Sequence, residues 1–437
     1  MSGKTYLEPS REIRIAKEVE VLVIGSGPGG ISAAIAAARE GADTLLVERY
    51  GHLGGMATGG LVLMYTSWLP GQCMEWRERL EKLDGIRVLS PLQGLGSIGG
   101  AAPGPGPGPG RGPGPGISMA DPELLKCILN DMAGEAGVKL SLHSWGTQAI
   151  VEDNTVKGVI FESKSGRQAI MGKVVIDATG DGDIFAAAGA EFDGYVNPKL
   201  RTCQVAVVFR IANIDWDRFA EFRAAKPEKW AEMRKEVDRV AGFHLGPIAT
   251  SRNDVTWVNN FLEGYNILNV EDLTKVEVTV RKSMVPVLEY FKKSLPGFEK
   301  SFLFDSAPQI GTRGSRRIIG EYIFSENDLK NGATFEDAIA VFAGGAGAGP
   351  PQGSVPPRLE MPYRCLVPKS MDGLLVAGRN FSSDTVMNTR LNVIQPCIAM
   401  GQAAGTAAAL AVQSNVEPRK VDYRALRKRL AAQGIPV

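Results

Sequence analysis

The sequence predicts an α/β fold: a doubly wound sheet assembled from both ends of the chain, with an α+β region inserted between them. Three observations predict it. The apolar run Val21-Leu22-Val23-Ile24 feeds a glycine-rich turn, Gly25-Ser26-Gly27-Pro28-Gly29-Gly30, and an alanine-rich segment runs from Ile31 to Arg39. A second apolar run, Thr44-Leu45-Leu46-Val47, then ends on Glu48. Near the other end, residues 373–379 again read as a strand entering a glycine turn, followed by the small-residue segment 393–412.

Each part of the first unit has a local cause. Gly25 permits the tight turn out of the strand, Gly27 lets a pyrophosphate approach the backbone, and Gly30 lets the helix pack closely on the sheet. The helix starting near Pro28 turns free N–H groups and its positive dipole end toward phosphate. Glu48 stands where a carboxylate accepts hydrogen bonds from ribose hydroxyls and repels a 2′-phosphate, so the pattern is the Rossmann-like fingerprint for FAD or NAD rather than NADP.

The rest of the chain follows in order. A second glycine-rich segment covers residues 50–60, and a helix is expected over 74–83. Asp121-Pro122-Glu123 opens a helix with an N-cap, a first-turn proline and an acid at the dipole's positive end, and Gly137 closes it. A strand at 138–142 precedes a meander at 149–152, 157–162 and 168–172. A separate strand, 173–176, leads into Asp177-Ala178-Thr179-Gly180-Asp181-Gly182-Asp183. In the inserted region, Cys203–Arg210 and Lys275–Val280 read as strands and Asp217–Val237 as helix. The domains expected are 1–195, 196–345 and 346–437, with the first and last forming one unit. A basic helix over 419–429, apolar at Val421, Leu426 and Leu430, is expected to dock on that unit.

Two tracts resist this reading. Residues 99–116 are GGAAPGPGPGPGRGPGPG, and 343–353 are AGGAGAGPPQG. Neither has side chains for a core, and ordering so many glycines is entropically costly. They read as surface loops or as segments that replace the native sequence. A peptide mass from either region decides between the two.

Composition narrows the class. The chain has 437 residues, 44% hydrophobic and 22% charged, with a net charge of +1. It has ample core and no general electrostatic footprint for nucleic acid. The five cysteines form no C-x-x-C pair, so neither a zinc site nor a redox dithiol is expected. No apolar leader or membrane-length apolar run is visible, and a cytoplasmic location is expected.

Four segments together resemble one family: VLVIGSGPGGISAAIAAAREGADTLLVER, HLGGMATGG, VVIDATGDGDIFAAAGA and LLVAGRNFSS with NVIQPCIAMGQAAGTAAALA. They resemble the FAD-dependent oxidoreductases of the glutathione-reductase-like superfamily, in the branch related to fumarate reductase flavoproteins. The resemblance implies an FAD-binding domain with an inserted α+β substrate domain, and noncovalent FAD. It implies that Gly25, Gly27, Pro28 and Gly30 hold the pyrophosphate and that Glu48 and Arg49 hold the adenosine ribose. It places Gly54, Gly55, Met56 and Thr58 along the ribityl chain and flavin ring. Ala178, Thr179, Gly180 and Asp181 close over the pyrophosphate side, and Gly378 and Arg379 approach the ribityl phosphate. The helix start around Val393 to Pro396, with Val393 and Ile394 as its named residues, faces the flavin pyrimidine. Two departures fall on the substrate side: Thr312-Arg313-Gly314-Ser315-Arg316-Arg317 lacks an internal acid, and Asn392 stands where an arginine is common, with Arg390 two residues earlier.

The implied activity is hydride transfer between a small organic substrate and flavin N5. Arg313, Arg316 and Arg317 are candidates to clamp a carboxylate. His244, read as a loop residue of the substrate domain, is the leading histidine candidate over His52 and His143. Tyr65, Trp68 and Tyr363 are candidate aromatic walls. No residue is singled out as the catalytic acid or base. The expected partners are a small-molecule substrate and an unidentified electron acceptor; a homo-oligomer is allowed. The rivals are an NAD-dependent dehydrogenase, a flavin monooxygenase consuming oxygen to give hydroxylated product, and a non-catalytic FAD-binding redox sensor.

Overall fold

The computed structural model describes residues 4–89, 117–194, 204–343 and 358–437. The tract 99–116 and most of 343–353 lie outside these residues. The main sheet is seven-stranded. Val21–Ile24 pairs in parallel with Thr44–Val47 on one side and with Val174–Asp177 on the other. Lys139–Ser141 extends the sheet beyond Thr44–Val47, and Leu374–Val376 lies parallel to Val175–Asp177. The strands from both ends of the chain thus finish at one carboxyl-terminal edge, where open α/β sheets place their ligands.

The strand at Gly166–Asp177 corrects the sequence reading, which divided it at Gly172. It is continuous because Arg14–Ile24 pairs along nearly its whole length. Gly172 is needed for packing, not for a turn: a Cβ there would stand 2.8 Å from the Leu22 Cβ. The first half of this strand pairs antiparallel with Thr155–Ser163, which pairs in turn with Trp145–Glu152.

Two helices cross on the sheet. Helix Pro28–Arg39 is buried from Pro28 through Ala37, and helix Ile394–Ser414 from Ile394 through Ala411. Their small residues let the backbones touch, since a Cβ on Gly401 or Gly405 would run into the carbonyl of Gly29 or Ala33. A helix apolar on all sides belongs in a core. Among the described residues no single helix is long and apolar enough to cross a membrane; this one, with Thr385–Leu391, forms a pair bent by 97°. The closing helix Tyr423–Ala432 buries Leu426 and Leu430 in the same core.

A second core surrounds a four-stranded antiparallel sheet ordered His244–Ala249, Val255–Phe261, Phe209–Ala212, Phe302–Ser306. Leu61, Leu63, Leu89 and Met119 join it from the amino-terminal region, while Ile318, Phe324, Ile339 and Phe342 pack in the first core. The cores are therefore interleaved along the chain. Lys275–Val280, read as a strand from its alternating valines, lies inside helix Val270–Ser294. The residues it buries, Val276, Val280, Met284, Val287 and Phe291, recur at helical spacing, and Asn269 accepts from the N–H groups of Glu271 and Asp272 as N-cap. The helix expected at 217–237 is two helices, Trp216–Ala225 and Pro227–Ala241, because Pro227 has no N–H to continue the first.

Candidate functional site

A cavity opens at the carboxyl edge of the main sheet, with about 880 Å³ of open space including its mouth. The three strand ends that form it are tied together. Ala178 N–H donates to Ile24 O at 2.9 Å, and Ala377 N–H donates to Asp177 O at 3.0 Å. Asp177 anchors this junction: its carboxylate accepts from Thr179 N–H and hydroxyl at 3.0 and 2.7 Å and from the N–H groups of Ile184 and Phe185 at 3.0 and 2.9 Å. Burial pushes its pKa up to about 6, while those donors hold it down.

The glycines divide into two groups. Gly25, with φ of +95°, leaves no room for a side chain, because a Cβ would stand 2.6 Å from Ala178 O. Gly30 is closed in the same way by Gly25 O, and Gly55 by the Gly27 Cα at 2.7 Å. These glycines let backbone pack on backbone. Gly27 and Gly378 are different. Nothing lies within 4 Å of a Cβ on Gly27, and only Asn380 Oδ1, at 3.9 Å, is near one on Gly378. Both line the cavity. Their missing side chains leave space for something other than protein.

Two helix starts border that space without a side-chain cap, one behind Gly27 and one behind Val393. Their first N–H groups and positive dipole ends suit a pyrophosphate and an electron-rich ring edge. An open glycine turn, uncapped helix starts and a long trough along three strand ends fit FAD.

Glu48 is buried and lines the cavity. Its Oε2 accepts from Ser26 N–H and Oγ–H, both at 2.7 Å, and its Oε1 from Tyr50 N–H at 2.8 Å. The carboxylate therefore braces the glycine turn. Of about four lone-pair positions on a carboxylate, three are taken and one is left for a hydroxyl. Arg49 is exposed at the mouth, 4.8 Å over the Tyr50 ring.

Gly25, Gly27, Pro28, Gly55 and Met56 line the cavity, as do Ala178, Thr179, Gly180, Gly378, Arg379, Val393 and Ile394. Four sequence candidates stand behind the wall. Gly30 is in the helix, and Gly54 donates to Ser26 O at 2.9 Å. Thr58 Oγ–H donates to Leu53 O at 2.5 Å. Asp181 pairs with Arg379 Nη2 at 2.9 Å and accepts from Ser315 Oγ–H at 2.7 Å. Trp145, Gln309 and Asn392 also line the cavity; no local pattern marks Trp145 or Gln309.

A second cavity adjoins the first and shares Met56, Thr312, Asn392, Val393 and Ile394 with it. Its far wall comes from the second core, through Val205, Val208 and Trp257, and from Phe261. The arginine clamp expected for a carboxylate is not assembled here. Arg316 donates to Asp181 O and Asp183 Oδ1, both at 3.1 Å, and the buried Arg317 pairs with Asp193. Only Arg313 reaches the cavity, with its guanidinium 5.0 Å over the Phe261 ring.

His244 lines neither cavity. It is not a loop residue but the first residue of a strand, with Nδ1 2.9 Å from Asp238 Oδ2. Burial holds the His52 imidazole below the usual histidine range. Tyr65 and Tyr363 are buried in the first core, with Trp68 packed against it, rather than lining a cavity wall. Burial also pushes the Cys397 thiol up to about 12, so this cysteine of the first cavity stays protonated. Among the described residues no group of side chains could hold a metal ion.

The sequence pattern of the FAD dependent oxidoreductase family matches residues 20–430. The chain belongs to that family. It is an enzyme of the oxidoreductase class, and its cofactor is FAD. The digeranylgeranylglycerophospholipid reductase of Methanosphaerula palustris is 25% identical over 261 residues, 56% of this chain and 61% of that protein. Digeranylgeranylglycerophospholipid reductase 1 of Methanothermobacter thermautotrophicus is 40% identical over 86 residues, 18% of this chain and 20% of that one. The chain thus spans less than two thirds of either relative. Among solved structures, a geranylgeranyl bacteriochlorophyll reductase-like protein from Thermoplasma acidophilum aligns over 95% of this chain and 83% of its own, at 16% identity and a TM-score of 0.49. The flavin-dependent monooxygenase PieE, solved with FAD and substrate, aligns over 95% and 63%, at 13% identity and a TM-score of 0.48.

Proposed function

We propose that this enzyme moves a hydride between a small organic molecule, held in the second cavity, and FAD, held in the first. Bound FAD supplies a two-electron carrier at its N5 position. The single observation that supports the reading is the shared wall: Met56, Thr312 and Asn392–Ile394 belong to both cavities, so two ligands are held side by side. Helix Pro28–Arg39 and the open face of Gly27 would hold the pyrophosphate. Glu48 and Arg49 would meet the adenosine end. The helix start at Val393 would favour negative charge on the ring edge that it faces.

The protein's own contribution is orientation and exclusion of water. The apolar wall of Val205, Val208, Trp257 and Phe261 presses a substrate toward Met56 and Ile394. The resemblance to fumarate reductase flavoproteins rests on the glycine-rich motifs alone, whereas the curated relatives are named digeranylgeranylglycerophospholipid reductases. Reductase chemistry is common to both.

Anaerobic mixing of the FAD-loaded enzyme with hydroxy acids, alcohols, amines and enones, in both directions of electron flow, tests the proposal. Bleaching of the flavin absorbance with a primary deuterium isotope effect from the substrate C–H is expected for the substrate oxidised. Oxygen-dependent hydroxylation without anaerobic bleaching would replace this reading with a monooxygenase.

A further inference from the structure

The second cavity has walls that restrict what it accepts. Among the described residues its lining holds no carboxylate, lysine or histidine, and its single charge is Arg313, stacked over Phe261. A cation has no counter-charge there. A dicarboxylate has one guanidinium and not three, because Arg316 and Arg317 are committed to Asp183 and Asp193. The polar groups in the lining are mainly neutral amides.

Gln395 is the most informative of them. It follows the shared wall residues Val393 and Ile394, and it lines the second cavity but not the first. It is 2% exposed, and its Nε2 has no hydrogen-bond partner among the described residues. A buried amide left unpaired is costly, and buried polar groups in folded proteins are nearly always satisfied. Beside it, Asn392 donates from Nδ2 to Arg313 O at 3.0 Å and leaves its Oδ1 unpaired. Two amides three residues apart, each with unused hydrogen-bonding capacity, therefore line the second cavity, and Asn392 also lines the first.

We propose that the second cavity takes an uncharged, largely apolar molecule carrying one carbonyl or hydroxyl group, and that the Gln395 amide hydrogen-bonds that group and positions the molecule. The assignment rests on the reading of this cavity as the substrate site. Gln395 acts by holding the ligand's polar group while Val205, Val208 and Trp257 hold its body. An apolar replacement removes the hydrogen bond and spares the packing.

The test uses two probes that share one ring system, 1-acetonaphthone and 1-naphthoate. Each is titrated into the FAD-loaded enzyme and followed by the shift of the flavin visible spectrum, which reports binding without turnover. The neutral ketone is expected to bind at least 10-fold more tightly than the carboxylate. Gln395→Leu should weaken the ketone about 10-fold, while FAD content stays at the wild-type value and the melting temperature does not fall. Gln395→Asn, which keeps an amide, should restore part of the affinity. Tighter binding of 1-naphthoate, or unchanged ketone affinity in Gln395→Leu, overturns the proposal. The two readings fail separately. If the ketone binds as described but no neutral carbonyl or hydroxyl compound exchanges electrons with the flavin, the redox function fails and the binding site stands. If charged substrates alone bleach the flavin, the function stands and this inference falls.

Discussion

Gly27 and Gly30 stand three residues apart in one turn, yet alanine has opposite consequences at the two positions. At Gly27 a methyl group meets nothing within 4 Å, and the backbone, with φ of −56° and ψ of 175°, is one that alanine adopts freely. Restricting the unfolded chain contributes about 0.4–1 kcal/mol of stability, and alanine is a poorer N-cap than glycine by a similar amount. The two offset, so the FAD-free protein should keep its stability to within roughly 0.5 kcal/mol. On the proposed placement of FAD, the methyl group occupies the space that the pyrophosphate needs. Displacing the phosphate from one charge-assisted hydrogen bond costs about 1.5–3 kcal/mol, or roughly 10- to 100-fold in FAD affinity.

Gly30→Ala does the reverse. Its Cβ collides with the Gly25 carbonyl and stands 2.8 Å from the Ala178 Cβ, a backbone contact that cannot give way. Overpacking of that kind costs about 3 kcal/mol. Urea unfolding of the FAD-free proteins and fluorescence titration with FAD measure both quantities. Wild-type FAD affinity in Gly27→Ala, or loss of several kcal/mol of its stability, would refute the division of the glycines into packing and ligand-facing groups.

Three further outcomes follow from the same geometry. Glu48→Gln turns one oxygen into a donor opposite the N–H of Ser26 or Tyr50. It should cost about 2–4 kcal/mol in urea unfolding of the FAD-free protein, and a neutral result would mean that the carboxylate does not brace the turn. Gly405→Ala should destabilise by about 1–3 kcal/mol through collision with Ala33 O, despite alanine's better helix propensity; a raised melting temperature contradicts the close helix crossing. Burial depresses the His52 pKa below 6.5 in the folded protein. The unfolded chain then binds a proton first as pH falls, so the stability tied to this residue is present above pH 6.5 and lost below it. His52→Gln should lose less stability than wild type between about pH 7.5 and 5.5, and equal losses in denaturant titrations would exclude a depressed imidazole.

The sequence by itself determined the sheet's first crossover, the FAD fingerprint and the buried late helix. These rest on local properties: apolar runs of strand length, glycine where the backbone turns with positive φ, and small residues throughout a helix. Such properties act over a few neighbouring residues and are written in their order. Tertiary structure alone decided the rest. Arg316 and Asp183 are 133 positions apart, and nothing in the Arg-rich segment says that two of its arginines are spent on structure while Arg313 reaches the cavity. Lys275–Val280 has a strand's alternation and became a helix because the second core accepts one helical face. Glu48 was legible as an acid closing the second strand, where it lines the cavity, but its grip on Ser26 was not. Gln395 falls within the late-helix start that the sequence singled out, but nothing there distinguishes it from its neighbours. Its importance lies in being buried in the wall of the second cavity with its Nε2 unpartnered among the described residues, a condition created when segments more than a hundred residues apart close around it.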